Sequence, residues 1–176
     1  MQLRCPIFCA FVLIGSVLPA NALEPTLDSA STDACLQSAK ETPEHCIGLF
    51  YKSCTDTREG STTRGMGECA ARETAIWQNK IDAAMKQLLE GLLGKTEAQP
   101  WNRPNENKRE RPVPGTDILD DMEKTWVVWR AKKCDAMAMQ AEGGSLSRVI
   151  YGTCVYDETA RHALWLRELA DDTTPK

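Results

Sequence analysis

The chain has 176 residues, a formal charge of −4 at neutral pH and eight cysteines. That length is one domain's worth, and the mild acidity argues against nucleic acid, whose binders carry basic patches, as a partner. Acidity at this level is compatible with a basic protein partner, and equally with solubility alone.

Residues 1–22 carry Arg4, an apolar run from 7 to 18, and then Ala20-Asn21-Ala22. This is the form of a secretory signal peptide, with a small-x-small site predicted to be cut after Ala22. The run is too short to span a bilayer as a permanent helix, and no cysteine follows it where a lipid anchor would attach. The mature chain, residues 23–176, is therefore expected to be a single periplasmic or secreted domain without a membrane span. Removal of the signal takes away Arg4, Cys5 and Cys9, leaving a charge of −5 and six cysteines.

A short helix is predicted over residues 28–40. A second runs from Pro43 towards Cys54, with Thr42 as N-cap and Pro43 at the first helical position. Residues 55–65 are turn-rich. A longer helix begins between residues 63 and 66 and runs to about Leu93, placing Trp77, Ile81, Ala84, Met85, Leu88 and Leu92 on one face. Gly91 and Gly94 mark its fraying end. Residues 96–115, TEAQPWNRPNENKRERPVPG, hold four of the nine prolines and no apolar periodicity, and read as a mobile surface connection. Glu106 and Glu110 offset Lys108, Arg109 and Arg111 there, which favours a solvated loop over a binding patch.

The most organised stretch is 126–169. Two amphipathic runs flank Gly143-Gly144-Ser145, with Cys134 nine residues before Gly143 and Cys154 nine after Ser145. At about 1.5 Å of helical rise per residue, each sulfur lies roughly 13 Å from the turn. The spacing predicts a helical hairpin stapled by a Cys134–Cys154 disulfide. Gly143 or Gly144 can end the first helix, and Ser145 can cap the second. Leu119, Met122, Trp126, Trp129, Lys133 and Met137 share one face of the first run. Val155, Thr159, His162, Leu166 and Leu169 share one face of the second. The tryptophans read as core, because buried indoles supply much of the apolar area in small helical proteins.

An even number of cysteines in an exported chain reads as disulfides, and six allow fifteen pairings. Sequence proximity suggests Cys35 with Cys46 and Cys54 with Cys69. No two cysteines have CxxC spacing, and His45 and His162 are far apart in sequence, so no metal or other cofactor is expected. Asp120, Asp121 and Glu123 resemble a carboxylate cluster, but acids in the first turn of a helix are normally stabilised by its dipole. An enzyme is the weaker reading. The expected fold class is all-α, a small disulfide-stapled helical bundle with a C-terminal helical hairpin.

One further pattern emerges from the order of residues. Cys54, Thr62-Thr63, Met66 and Cys69, followed by Leu119, Trp126, Arg130, Cys134, Gly143-Gly144-Ser145, Cys154, Thr159, Arg161 and Leu164, resembles the LprI-type lysozyme-inhibitor family of exported bacterial proteins. The resemblance spans about residues 35–169 and is most specific in its C-terminal half. The chain departs from it at Gln78, Ile81-Asp82 and Met85, where the family pattern has an aspartate, a Leu-Asn pair and a tyrosine. It departs also at Ala131, usually aspartate, and Glu123, commonly glutamine. The resemblance implies a periplasmic helical domain that binds and blocks lysozyme; a non-catalytic cell-envelope interaction module is the alternative. Ser145 and Arg148, at the turn of the hairpin, are candidate partner contacts, against the plainer reading that Ser145 only caps a helix. Arg130 and Arg161 read equally as structural cations paired with helix-end carbonyls or acids.

Replacing residues 96–115 by a short Gly-Ser linker is expected to leave cooperative thermal unfolding intact. Closure entropy changes by only about 0.6 kcal/mol per doubling of loop length. Loss of the cooperative transition would show that the segment contributes to the core.

Overall fold

A computed structural model describes residues 29–96, 116–141 and 144–173, all of the regular structure being helical. The segment expected to be a signal peptide, the Pro-rich connection and Gly143 lie outside the described residues. The spine is α3, Thr63–Thr96. Its apolar residues recur every three or four positions, and Cys69, Ala70, Ile76, Trp77, Ile81, Ala84 and Leu88 are all buried.

Helix α5, Ser145–Thr173, runs parallel to α3 and in step with it. Gly152 lies against Ala70, and Gly91 against Thr173, so the same sequence offset holds at both ends. The 21 residues between these contacts correspond to about 31 Å of helix. Approach is closest at Gly152, where a Cβ would meet that of Ala70 at 3.0 Å. Helix α4, Thr116–Ala138, runs antiparallel to α5, and the order of cross-links makes this plain. Cys134 bonds Cys154, Arg130 bonds Thr159, and Glu123 bonds His162.

All three disulfides join the cysteines that are neighbours in sequence: Cys35–Cys46, Cys54–Cys69 and Cys134–Cys154. Their Cα separations of 5.7, 5.8 and 5.5 Å are those of ordinary disulfides. The all-α, disulfide-stapled fold with its C-terminal hairpin is thus as expected, but several local details differ.

The helix expected from Pro43 to Cys54 is two pieces, a 3-10 turn over Pro43–Cys46 and α2, Leu49–Thr55. Gly48 separates them with φ +80°, a left-handed conformation that cannot continue a right-handed helix. Thr42 makes no side-chain cap bond. The cap of α2 comes instead from Glu73 of α3, fully buried. Its carboxylate accepts hydrogen bonds from the backbone N–H groups of Gly48 (3.2 Å) and Tyr51 (2.8 Å), and from Trp77 Nε1 (2.6 Å). A carboxylate at a helix start satisfies orphan donors and complements the dipole.

In the hairpin, α4 ends at Ala138 and a 3-10 turn over Met139–Ala141 follows, so the helix stops before the glycines. Ser145 is the first residue of α5 rather than its cap. The face of α4 also differs from expectation. Trp129 is 50% exposed and Met137 also faces solvent, because each stands one residue, about 100°, from Arg130 and Ala138, which do face α5. The disulfide at Cys134 and the Arg130 bond fix that rotation.

The short helix α1, Ala30–Ser38, is tied down by Cys35–Cys46 and by an ion pair between Asp33 and Lys80 of α3. The hydrogen bond from Lys80, and a second from Ser29 Oγ at 2.6 Å, hold the Asp33 carboxyl below the usual aspartate range. A depressed carboxylate stabilises the fold above its unfolded value and ceases to do so as pH falls through the folded one. Asp33→Asn is therefore expected to lower the melting temperature slightly near neutrality and to lose that effect in acid, where the two proteins converge. An unchanging difference would refute the linkage. At Glu73, substitution by alanine leaves three donors unpaired and is expected to cost about 3–5 kcal/mol in urea unfolding. Glu73→Gln, which keeps one acceptor oxygen, should cost less. A loss under about 1 kcal/mol for the alanine variant would show that water replaces the carboxylate.

Candidate functional site

Three sequence-selected residues, Trp126, Arg130 and Thr159, form one cluster between α4 and α5. Arg130 Nη1 donates to Thr159 Oγ1 at 2.7 Å, and that hydroxyl donates to the Val155 carbonyl at 2.6 Å. The Arg130 guanidinium carbon lies 4.5 Å from the centre of the Trp126 ring system. Trp126 stacks on His162 with centroids 3.9 Å apart and planes inclined by 10°. His162 in turn stacks beside Trp165 at 5.5 Å. A run of four planar groups therefore leads outward from Arg130 to an exposed indole. Burial pushes the Arg130 guanidinium down from its ordinary value, while the nearby Tyr151 and Glu123 oppose that shift.

Glu123 closes the cluster, its Oε1 lying 2.5 Å from His162 Nε2. The carboxylates that resemble a cluster in sequence thus have different surroundings. Glu123 turns in towards α5, while Asp120 and Asp121 are exposed on α4. His162 is buried, with its ring flanked by aromatics and Nε2 engaged, so it is packed rather than presented to a substrate. One turn along, Lys133 bridges to Glu158 at 2.6 Å and lies over the exposed Trp129. Lys133 and Arg130 together fix the hairpin beside its disulfide.

Arg161 does not join this cluster. It pairs along its own helix with Asp157 at 2.8 Å, and that hydrogen bond raises its pKa. It also lines a cleft, with Glu44 and Glu168 among its other walls, between the start of the 3-10 turn at Pro43 and the end of α5.

Ser145 and Arg148 lie together in the first turn of α5, both exposed. Leu146, 58% exposed, and Met139, 76% exposed on the facing side of the turn, complete an amphipathic tip. The buried Cys134–Cys154 bond stands behind it, about one hairpin arm of nine residues away. The tip is thus presented on a stapled frame, with hydroxyl, guanidinium and two apolar side chains projecting.

Sequence reasoning missed Glu73, the Glu123–His162 pair and the open groove between α3 and α4. Glu73 did carry a signal: it lies four residues before Trp77 and four after Cys69, in the buried stripe of α3. Contrary to the expectation from the sequence, the tryptophans are not uniformly core. Trp77 is fully buried and Trp126 half-buried, whereas Trp129 and Trp165 are exposed. Among the described residues no cluster of histidine, cysteine and acidic side chains is placed to hold a metal ion, and no helix is long and apolar enough to cross a membrane.

The family model described as Lysozyme inhibitor LprI matches residues 54–166, from the end of α2 into α5. No curated protein and no solved structure matches the chain. The matched region contains the Cys54–Cys69 and Cys134–Cys154 bonds, the Trp126–Arg130–Thr159 cluster and the hairpin tip. On this match, which covers well over half of its length, the chain belongs to the LprI lysozyme-inhibitor family.

Proposed function

We propose that the mature protein binds an animal-type lysozyme outside the cytoplasm and lowers its muramidase activity without catalysing a reaction itself. The observation that carries this reading is the family match over residues 54–166. Three disulfides support export, because such bonds persist in oxidising compartments. The charge of the chain supports it too, being opposite to that of a typically basic enzyme.

The hairpin tip supplies a physical route. A lysozyme cleft works through two carboxyl groups kept in different protonation states by their surroundings. A guanidinium delivered between them pairs with a carboxylate through charge-assisted hydrogen bonds and blocks the cleft. Arg148 is the side chain for that role in this proposal, with Ser145 as a second hydrogen-bonding group beside it. A rigid tip loses little conformational entropy on docking.

Titrating a basic animal-type lysozyme with the oxidised mature protein, at low and at physiological salt, tests both parts. Wild type is expected to inhibit, and to associate more weakly as salt screens the steering charges. Arg148→Ala is expected to raise the inhibition constant roughly tenfold, the equivalent of about 1.4 kcal/mol, with little change in melting temperature. Ser145→Ala should act in the same direction and less strongly. Cys154→Ser should reduce both inhibition and stability, the latter by about 3 kcal/mol. Absence of inhibition by oxidised wild type would remove the lysozyme reading in favour of an envelope-interaction module. Inhibition unchanged by both tip variants would move the contact elsewhere.

A further inference from the structure

Helices α3 and α4 each pack on α5 but scarcely on one another, and an open groove of about 570 Å³ lies between them. Ile81, Met85 and Leu89 of α3 form its apolar floor, buried or half-buried. Four carboxylates stand around that floor: Asp82 and Glu90 from α3, Asp120 and Glu123 from α4. Lys86 is the one base among the lining residues. Two of the acids are held in place. Gln78 Nε2 donates to Asp82 Oδ1 at 3.1 Å, and Glu123 is bound to His162.

We infer that this groove docks a cationic segment of a protein partner, with an aliphatic side chain of the segment on Met85 and its lysines or arginines on Asp82, Glu90 and Asp120. An apolar floor within an acidic rim discriminates by charge as well as shape. Neutral or acidic apolar segments meet repulsion or unpaired carboxylates, whereas basic ones meet complementary potential. The inference rests on the lysozyme reading in one respect, that a basic lysozyme is the protein which supplies the segment. The spacing agrees with a single partner. Sixteen residues of helix separate Glu123 from Met139 at the tip, about 24 Å, and a standard contact patch of about 800 Å² per partner is roughly 30 Å across. Groove and tip can therefore lie within one footprint, the groove taking a cationic surface while the tip reaches the cleft.

The test measures binding of the oxidised mature protein to a basic animal-type lysozyme at two salt concentrations, beside Asp82→Asn/Asp120→Asn and Met85→Lys. Both rim acids are exposed, so the double variant should melt as wild type does. It is expected to bind about tenfold more weakly, to associate more slowly and to lose much of the salt dependence. Met85→Lys should weaken binding further. Undiminished lysozyme binding by both variants would overturn the groove inference while leaving the lysozyme reading standing. A second arm is independent of lysozyme. A synthetic amphipathic helical peptide of lysine and leucine is titrated while the Met85 methyl resonance is followed. A shift for wild type, absent for its glutamate-and-leucine counterpart, is expected even if lysozyme itself does not bind; no shift would overturn the inference. A dimer in sedimentation that the rim variants dissociate would assign the groove to a second copy. Tighter peptide binding after replacement of residues 97–115 would assign it to the chain's own connection. Either result overturns the proposal.

Discussion

Close approach of α3 and α5 is the constraint on which the remaining architecture rests. Two long parallel helices meet along about 31 Å only if small residues lie where they touch. Gly152 against Ala70 and Ala163 beside Trp77 meet that need. Because α3 occupies that side of α5, α4 is confined to the other, and Cys154, Thr159 and His162 receive it there. The two neighbours of α5 scarcely touch one another, so the core that all three helices share is flanked by an open groove between α3 and α4.

The N-terminal elements are attached by polar groups more than by apolar area. Glu73 reaches out of α3 to hold the start of α2, Cys54–Cys69 ties its end, and Asp33 with Cys35–Cys46 ties α1. Phe50 adds the main buried apolar side chain of α2, with Arg72 stacked 4.7 Å above its ring. Short helices of nine and seven residues have little stability of their own. Covalent and charge-assisted links to α3 supply what their length does not.

Much of this arrangement was legible in the chain. The apolar period of α3 placed Trp77, Ile81, Ala84 and Leu88 in the core, and the symmetric spacing of Cys134 and Cys154 about a glycine turn placed the hairpin and its bond. What was not legible depends on choices between neighbours. Trp126 and Trp129 are equally apolar and nearly in phase. Which of them faces α5 is decided by Arg130 finding Thr159, a partner 29 residues away. The break at Gly48 likewise turns on a carboxylate 25 residues distant that rewards a fresh helix start. The groove was beyond reach of periodicity altogether, since it is made by two faces that do not meet. Of the candidate contacts, Ser145 and Arg148 were placed at a tip by the turn alone, and they do share one exposed turn.

The disulfide connectivity has a consequence for how such a chain matures. Each bond joins consecutive cysteines, closing segments of 11, 15 and 20 residues, and none crosses another. Of fifteen possible pairings of six cysteines, this is the one a chain reaches by oxidising each thiol with the next to appear. If such a chain is delivered N-terminus first to an oxidising compartment, Cys35 and Cys46 emerge first of these six, then Cys54 and Cys69, and last the hairpin pair. Under that delivery the order of emergence and the native covalent order coincide, and correct pairing needs no reshuffling of bonds among the six.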